Sequence, residues 1–312
     1  MLVAALVVAV AAGCSGSVSS SPAQSSSRPS PTPSAAVRAA DLVVGGERPV
    51  TLHVPVSYDP SRPAPLLLLL HGYSSRGAEV DGYVGMKAAA DAHGYVYATP
   101  EGTLDRQGNR FWNATDACCN FDRTGVDDVA YLSGLIAEIQ AKLSIDPRRI
   151  AVVGHSNGGF MAYRMACERA DLLASIVSLA GATFVDPADC TPSKPISVAQ
   201  IHGTADDTIR FDGGGPVSND TRRYPGAVTT AETWATYDGC GPEPSKLPAK
   251  LDIDAYLTAG SDEAETTVSE WSGCDAGSAV QLWTIDGGGH VPALTPAFAE
   301  AVFQFLVDHP KP

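Results

Sequence analysis

Runs of apolar residues alternate with stretches of helical periodicity through most of this 312-residue chain. Leu42-Val43-Val44 and Val50-Thr51-Leu52-His53-Val54 flank Gly45-Gly46, the pattern of a β-hairpin. Leu66 to Leu70 is an unbroken leucine run, expected of a strand buried on both faces of a mainly parallel sheet. The pattern then predicts a helix over Ala78 to His93, stopped at Gly94, and a strand through Tyr95-Val96-Tyr97-Ala98. A helix fits Val126 to Leu143, a strand starts at Ile150, and an amphipathic helix covers Phe160 to Cys167. Further strands fit Ser175 to Leu179, Ile196 to Ile201 and Val280 to Ile285, with helices over Val228 to Tyr237 and Pro296 to Val307. Such alternation builds an α/β fold, a mainly parallel central sheet with helices on both faces, and one core suffices for residues 41–312.

The N-terminus breaks this pattern. Leu2 to Ala12 is apolar but too short to span a bilayer, and it ends at Gly13-Cys14. It has the form of a secretion signal over residues 1–14, and Ala11-Ala12-Gly13-Cys14 resembles a lipobox with Cys14 as the lipidated residue. Between Ser15 and Ser34, 14 of 20 residues are Ser or Pro, so the segment 15–40 is expected to be a disordered tether. A formal net charge of −14 argues against nucleic acid or anionic lipid as a partner, leaving a lipid anchor as the expected membrane attachment. The expected location is extracellular or at the cell surface, and the expected state is a monomer.

Candidate chemistry centres on Gly154-His155-Ser156-Asn157-Gly158, which directly follows the Ile150 strand and opens a helix. A strand that turns at once into a helix displays the residue at the bend, and the two glycines remove the clashes that the bend would create. A serine hydroxyl needs a base, and the base needs an acid to fix its tautomer. His202-Gly203-Thr204-Ala205-Asp206-Asp207 follows the Ile196 strand, and Gly287-Gly288-Gly289-His290 follows the Val280 strand. The order Ser156, Asp206, His290 is that of a nucleophile-acid-base triad on such a sheet; a one-residue shift would exchange Asp206 for Asp207. Of seven histidines, only His290 sits late, after a strand, on a glycine-rich loop. His71 and His202 precede glycines at strand ends and are expected to brace loops, whereas His155 should point the wrong way round the turn. The backbone amides of Asn157 and Tyr73 are the expected oxyanion donors. Asp127 and Asp128 are expected to start a helix, where carboxylates favour the positive end of the dipole.

Leu70-His71-Gly72, Gly108-Asn109-Arg110-Phe111-Trp112-Asn113, Val126-Asp127-Asp128-Val129, Asp146-Pro147-Arg148-Arg149-Ile150, the serine turn, His202-Gly203-Thr204-Ala205-Asp206 and Gly288-Gly289-His290 occur in one order. In this the chain resembles the polyhydroxybutyrate depolymerase and feruloyl esterase family, of the carbohydrate esterase family 1 type, close to its bacterial lipoprotein branch. The resemblance spans Leu42 to Pro312. It implies an α/β-hydrolase fold, no metal or organic cofactor, and hydrolysis of carboxylic esters with Ser156 as nucleophile, Asp206 as acid and His290 as base. Where the family usually has Trp-Pro after the histidine, Val291-Pro292 stands here, which removes an aromatic from the substrate site. Phe111 and Trp112 offer either an aromatic wall for an acyl chain or phenolic ring, or core packing.

Six cysteines remain besides Cys14, and an even number in an exported chain implies three disulfides. Cys240 with Cys274 is the expected pair, since both flank one late segment and the resembling family looks similar there. Cys118 and Cys119 are then expected to reach Cys167 and Cys190. The expected activity is hydrolysis of polyhydroxyalkanoate-type polyesters or oligoesters, with feruloyl or acetyl-xylan esters as the alternative substrates. Acyl transfer at the cell envelope and non-catalytic surface binding remain open as readings of another class.

Overall fold

The computed structural model describes residues 42–215, 223–257 and 263–311. The signal-like segment, Cys14 and the tether lie outside them. An eight-stranded sheet forms from β1 (Ala64–Leu70), β2 (Val96–Ala98), β3 (Ile145–His155), β4 (Ser175–Leu179), β5 (Ser197–Gly203), β6 (Ser245–Lys246), β7 (Thr266–Trp271) and β8 (Val280–Ile285). Its spatial order is β6-β7-β8-β5-β4-β3-β1-β2. The β6-β7 and β7-β8 pairs are antiparallel, and all other neighbours are parallel. The helices are α1 (Gly77–Val84), α2 (Met86–His93), α3 (Asp128–Lys142), α4 (Asn157–Arg169), α5 (Ala227–Tyr237) and α6 (Pro296–Asp308).

The leucine run of β1 is buried throughout because successive side chains point to opposite, covered faces. Leu66, Leu68 and Leu70 join a core cluster with Leu132 of α3, Phe160 of α4 and Trp234 of α5. Leu67 and Leu69 join a second cluster with Val80 of α1, Met86 of α2 and Phe303 of α6. Each fully buried leucine contributes about 1.5–3 kcal/mol, so this single strand fastens both helix layers to the sheet.

The helix expected over 78–93 is two helices. Gly85 sits between them in the left-handed region, with φ 66°, and its amide closes α1 on the Asp81 carbonyl. Asp127 caps α3 by accepting the Ala130 amide at 2.8 Å, as expected of an acidic helix start. Asp128 does more: buried, it accepts from Arg48 Nη1 at 2.6 Å and from the Asn113 amide at 2.7 Å. The antiparallel strands β6 and β7 escape the sequence pattern. β7 carries Thr, Ser and Glu between its buried positions and offers no apolar run.

Cys240 and Cys274 are joined, as expected. The other pairing is corrected. Cys118 bonds to its neighbour Cys119, and Cys167 bonds to Cys190. The end of α4 brings Cys167 and Cys190 to a Cα–Cα distance of 5.3 Å, inside the normal disulfide range, so neither remains for the 118–119 segment.

One buried carboxylate joins the far end of the sheet to this framework. Asp238 caps α5, is wholly buried, and accepts the Ile196 amide just before β5 with both carboxylate oxygens at 3.3 Å. Burial, and secondarily the Asp275 charge, push its pKa up to about 7. An unfolded aspartate ionises near 3.9, so between about pH 4 and pH 7 the folded state holds one extra proton and loses stability as pH rises. Asp238→Asn stays neutral and keeps an acceptor. Calorimetry should therefore show its melting temperature a few degrees above that of the parent at pH 8, with the difference vanishing near pH 4.

Candidate active site

Parallel strands deliver their C-terminal ends to one edge of the sheet, and loops from four of them meet there. The β3–α4 turn carries Ser156 with φ 54° and ψ −120°, a conformation costly for a residue with a Cβ. Ser156 is held there by its amide, which donates to the Leu179 carbonyl at 2.8 Å, and by its carbonyl, which accepts from Phe160 at 3.0 Å. Close approach decides the flanking residues. A Cβ on Gly154 would collide with the Gly158 carbonyl, and one on Gly158 with the Leu70 carbonyl.

Three of the expected residues converge. Ser156 Oγ lies 3.0 Å from His290 Nε2, and His290 Nδ1 lies 2.8 Å from Asp206 Oδ2. Asp206 rather than Asp207 makes this contact; among the described residues Asp207 reaches only the Thr208 hydroxyl, at 3.3 Å. Asp206 Oδ1 accepts the amides of Thr208 and Ile209 at 2.9 and 2.8 Å, which locks the carboxylate in place. Burial raises the Asp206 pKa, but hydrogen bonds from His202 and His290 outweigh it and hold the group well below the usual carboxylate range. It stays ionised next to His290.

His202 braces as expected. Gln200 Nε2 donates both to the Gly181 carbonyl at 2.8 Å and to His202 Nδ1 at 2.9 Å. The His202 proton is thus on Nε2, 2.7 Å from the Ile209 carbonyl and 3.3 Å from Asp206 Oδ2. His71 also braces: its Nε2 accepts the Gly102 amide at 2.9 Å while its Nδ1 donates to the Gly72 carbonyl at 2.7 Å. The Tyr73 hydroxyl donates to Asp105 at 2.5 Å, and its ring packs edge-on against Phe121. Among the described residues the amides of Tyr73 and Asn157 have no acceptor, and Gly72 brings the first of them beside Ser156. Asn157 contributes its side chain as well, pairing with the backbone of Trp112 at 2.7 and 3.1 Å.

Phe111 and Trp112 do not form an aromatic wall. Both have zero exposure, and the Trp112 indole donates to the His71 carbonyl at 3.0 Å. Through that bond Trp112 supports the loop that carries Tyr73. Val291, by contrast, is 62 % exposed beside His290.

Sequence reasoning missed what fixes the His290 loop. His155 Nε2 lies 3.0 Å from the His290 carbonyl, and the two rings are 5.1 Å apart. Burial, followed by the neighbouring His290, lowers the His155 pKa to about 4, so at neutral pH it serves as a fixed donor. The Tyr83 hydroxyl donates to the Pro292 carbonyl at 3.0 Å, and buried Asp254 accepts the Ala293 amide at 3.0 Å. The histidine beside the serine was visible in the motif, but Tyr83 and Asp254 lie too far away in sequence to give any signal.

Residues 67–302 match the profile of the alpha/beta hydrolase family. The chain belongs to this family. The alpha/beta hydrolase is 31% identical, over 82% of its length and 74% of the other protein, to "Putative esterase NocK" of Nocardia uniformis subsp. tsuyamanensis. It is 27% identical to feruloyl esterase C of Emericella nidulans over 77% of this chain and 76% of that one. Feruloyl esterase B of Piromyces equi is 28% identical over 78% of this chain, which spans 42% of that longer protein. Among solved structures, the acetyl xylan esterase of Aspergillus awamori superposes with a TM-score of 0.60, covering 86% of this chain and 98% of that one at 13% identity. That likeness is one of fold.

The ties on the His290 loop can be tested in this hydrolase. His155→Phe keeps a ring against Tyr83 and removes the donor to the His290 carbonyl. Steady-state kinetics on p-nitrophenyl acetate should show kcat lowered about tenfold with KM little changed, the cost of roughly one lost positioning hydrogen bond.

Proposed function

We propose that the chain is an exported serine esterase working through an acyl-enzyme. Carboxylic ester hydrolysis fits the alpha/beta hydrolase family and the esterases that it matches over most of its length. The observation that carries the reading is the relay from Asp206 through His290 to Ser156, with contacts of 2.8 and 3.0 Å, on a serine held in a strained turn. Ser156 Oγ attacks the ester carbonyl while His290 takes its proton. Asp206 fixes the His290 tautomer and stabilises its cation. The amides of Tyr73 and Asn157 receive the oxyanion, His290 returns the proton to the departing alcohol, and water repeats the cycle on the acyl-enzyme. Nucleophile, base, acid and oxyanion donors all come from the chain itself. Three disulfides support export. A lipid anchor at Cys14 completes the proposal.

For substrate, esters of feruloyl or acetyl type come first, because relatives named feruloyl esterases match the chain. Hydroxyalkanoate oligoesters are the second reading, favoured by an apolar rim at the His290 loop. There Val291 is 62 %, Tyr256 80 % and Leu257 40 % exposed, and the amide of Ala255 bonds to the Ala293 carbonyl at 2.8 Å.

Ser156→Ala should reduce kcat on p-nitrophenyl acetate on the order of 10⁴-fold or more and abolish labelling by a fluorophosphonate probe. Near-parental turnover in that variant would remove Ser156 from the reaction. A panel of methyl ferulate, acetylated xylan and hydroxybutyrate oligomers ranks the substrates by kcat/KM; a clear preference for the hydroxybutyrate oligomers would put them ahead of feruloyl and acetyl esters.

A further inference from the structure

The Asp206 side chain is wholly buried, so its carboxylate must find its donors inside the protein. A carboxylate offers about four acceptor positions. The amides of Thr208 and Ile209 fill two on Oδ1, and His290 Nδ1 fills one on Oδ2. On the remaining side of Oδ2 stands His202 Nε2, at 3.3 Å. The proton on that nitrogen has the Ile209 carbonyl, 2.7 Å away, as its nearer acceptor, and it presents the positive edge of the ring to Asp206. His202 thus acts on the acid twice. It faces Oδ2 directly, and it holds the carbonyl of Ile209, whose amide holds Oδ1.

Two independent contacts decide where the His202 proton sits. The Ile209 carbonyl only accepts, so Nε2 must carry the proton. The Gly181 carbonyl likewise only accepts, so Gln200 must turn its nitrogen towards it, at 2.8 Å, and that same nitrogen lies 2.9 Å from His202 Nδ1. A donor facing Nδ1 leaves the lone pair there no room for a proton. The Tyr163 hydroxyl completes the arrangement by donating to Gln200 Oε1 at 2.7 Å. Tyr163, Gln200 and His202 are all buried, and Phe211 packs edge-on against the His202 ring. Tyr163 lies on α4, the helix that Ser156 opens. The chain of contacts through Tyr163, Gln200, His202, Asp206, His290 and Ser156 therefore leaves that helix and returns to it.

How strongly Asp206 stabilises a His290 cation depends on how much of its charge other donors already engage. The remaining titratable groups around the pair are otherwise occupied. Burial, followed by the neighbouring His290, lowers the His155 pKa to about 4 and keeps that ring uncharged at neutral pH. Asp207 turns to the Thr208 hydroxyl, and Asp254 spends its oxygens on the amides of Tyr256, Leu257 and Ala293. The Tyr83 hydroxyl donates to the Pro292 carbonyl, and burial raises the pKa of both Tyr83 and Tyr163. We propose that His202, held in one tautomer by Gln200, is a positioning residue that restrains the basicity Asp206 confers on His290, and so sets the pH above which the site works. The assignment rests on the triad proposed for the Ser156 site.

The test follows kcat/KM on p-nitrophenyl acetate against pH in the full chain, where the acidic limb reports the base of the free enzyme. Removing the donor in His202→Leu should move the midpoint of that limb up by about half a pH unit or more, since a less engaged carboxylate holds the His290 proton more tightly. His202→Gln, whose amide nitrogen stands where the ring Nε2 does, should bring the midpoint back to that of the parent. A ring that only fills space changes the height of the profile and not its midpoint. A limb that stays in place in His202→Leu, or that moves alike in both variants, would therefore overturn the proposal. Nitrogen-15 NMR of the histidine rings in the unsubstituted chain at pH 8 requires no variant to fold. It should find His202 as the Nε2–H tautomer, and a proton on Nδ1 instead would equally overturn the proposal. Failure of the parent to hydrolyse p-nitrophenyl acetate would instead sink the esterase reading, while the NMR result on His202 stands by itself.

Discussion

The chain can turn at Ser156 only because three segments approach more closely there than side chains would allow. β3 enters the bend at Gly154, α4 leaves it at Gly158, and the end of β1 presses against the helix start through the Leu70 carbonyl. Contacts of this kind are steric and short-range, so they fix the serine without recourse to flexible polar groups. The parallel register does the rest. β1, β3, β5 and β8 end at one edge, so loops remote in sequence meet within hydrogen-bond distance.

Around that fixed point the polar groups fall into two kinds. Asp206 is tied by two amides and flanked by two histidines, and it holds its negative charge in a buried place. His71, His155 and His202 each bond to backbone carbonyls that define the site's loops. His290 alone spans from carboxylate to serine. One residue type thus serves both as scaffold and as the bridge between carboxylate and hydroxyl, and the partners of each ring decide which.

Much of this is legible in the sequence, for a physical reason. Strands buried on both faces must be apolar runs, and a loop directly after such a strand must lie at the sheet edge; hence order alone places Ser156, Asp206 and His290. Elements whose residues are half-exposed give no such signal, and β7 is the example. Gly85 sits inside an uninterrupted helical pattern, where sequence does not reveal a left-handed break. The cysteine pairs mislead because spacing discounts an adjacent partner, which sends Cys118 and Cys119 to a distant pair. Phe111 and Trp112 read equally as a substrate wall or as core until the Asn157 side chain is seen to hold the Trp112 backbone.

The two margins of the sheet are treated unlike its centre. On one side β2 has three residues, and its outer edge is already paired with His53 through mutual bonds of 2.8 Å at Tyr97. On the other, the sheet tapers to the two exposed residues of β6, the second of them Lys246. An open row of backbone donors and acceptors is a template for another chain, and a charged, truncated border denies it one. A sheet whose central strands are buried on both faces is thereby denied a template for growing outward into aggregates, however crowded the molecules become.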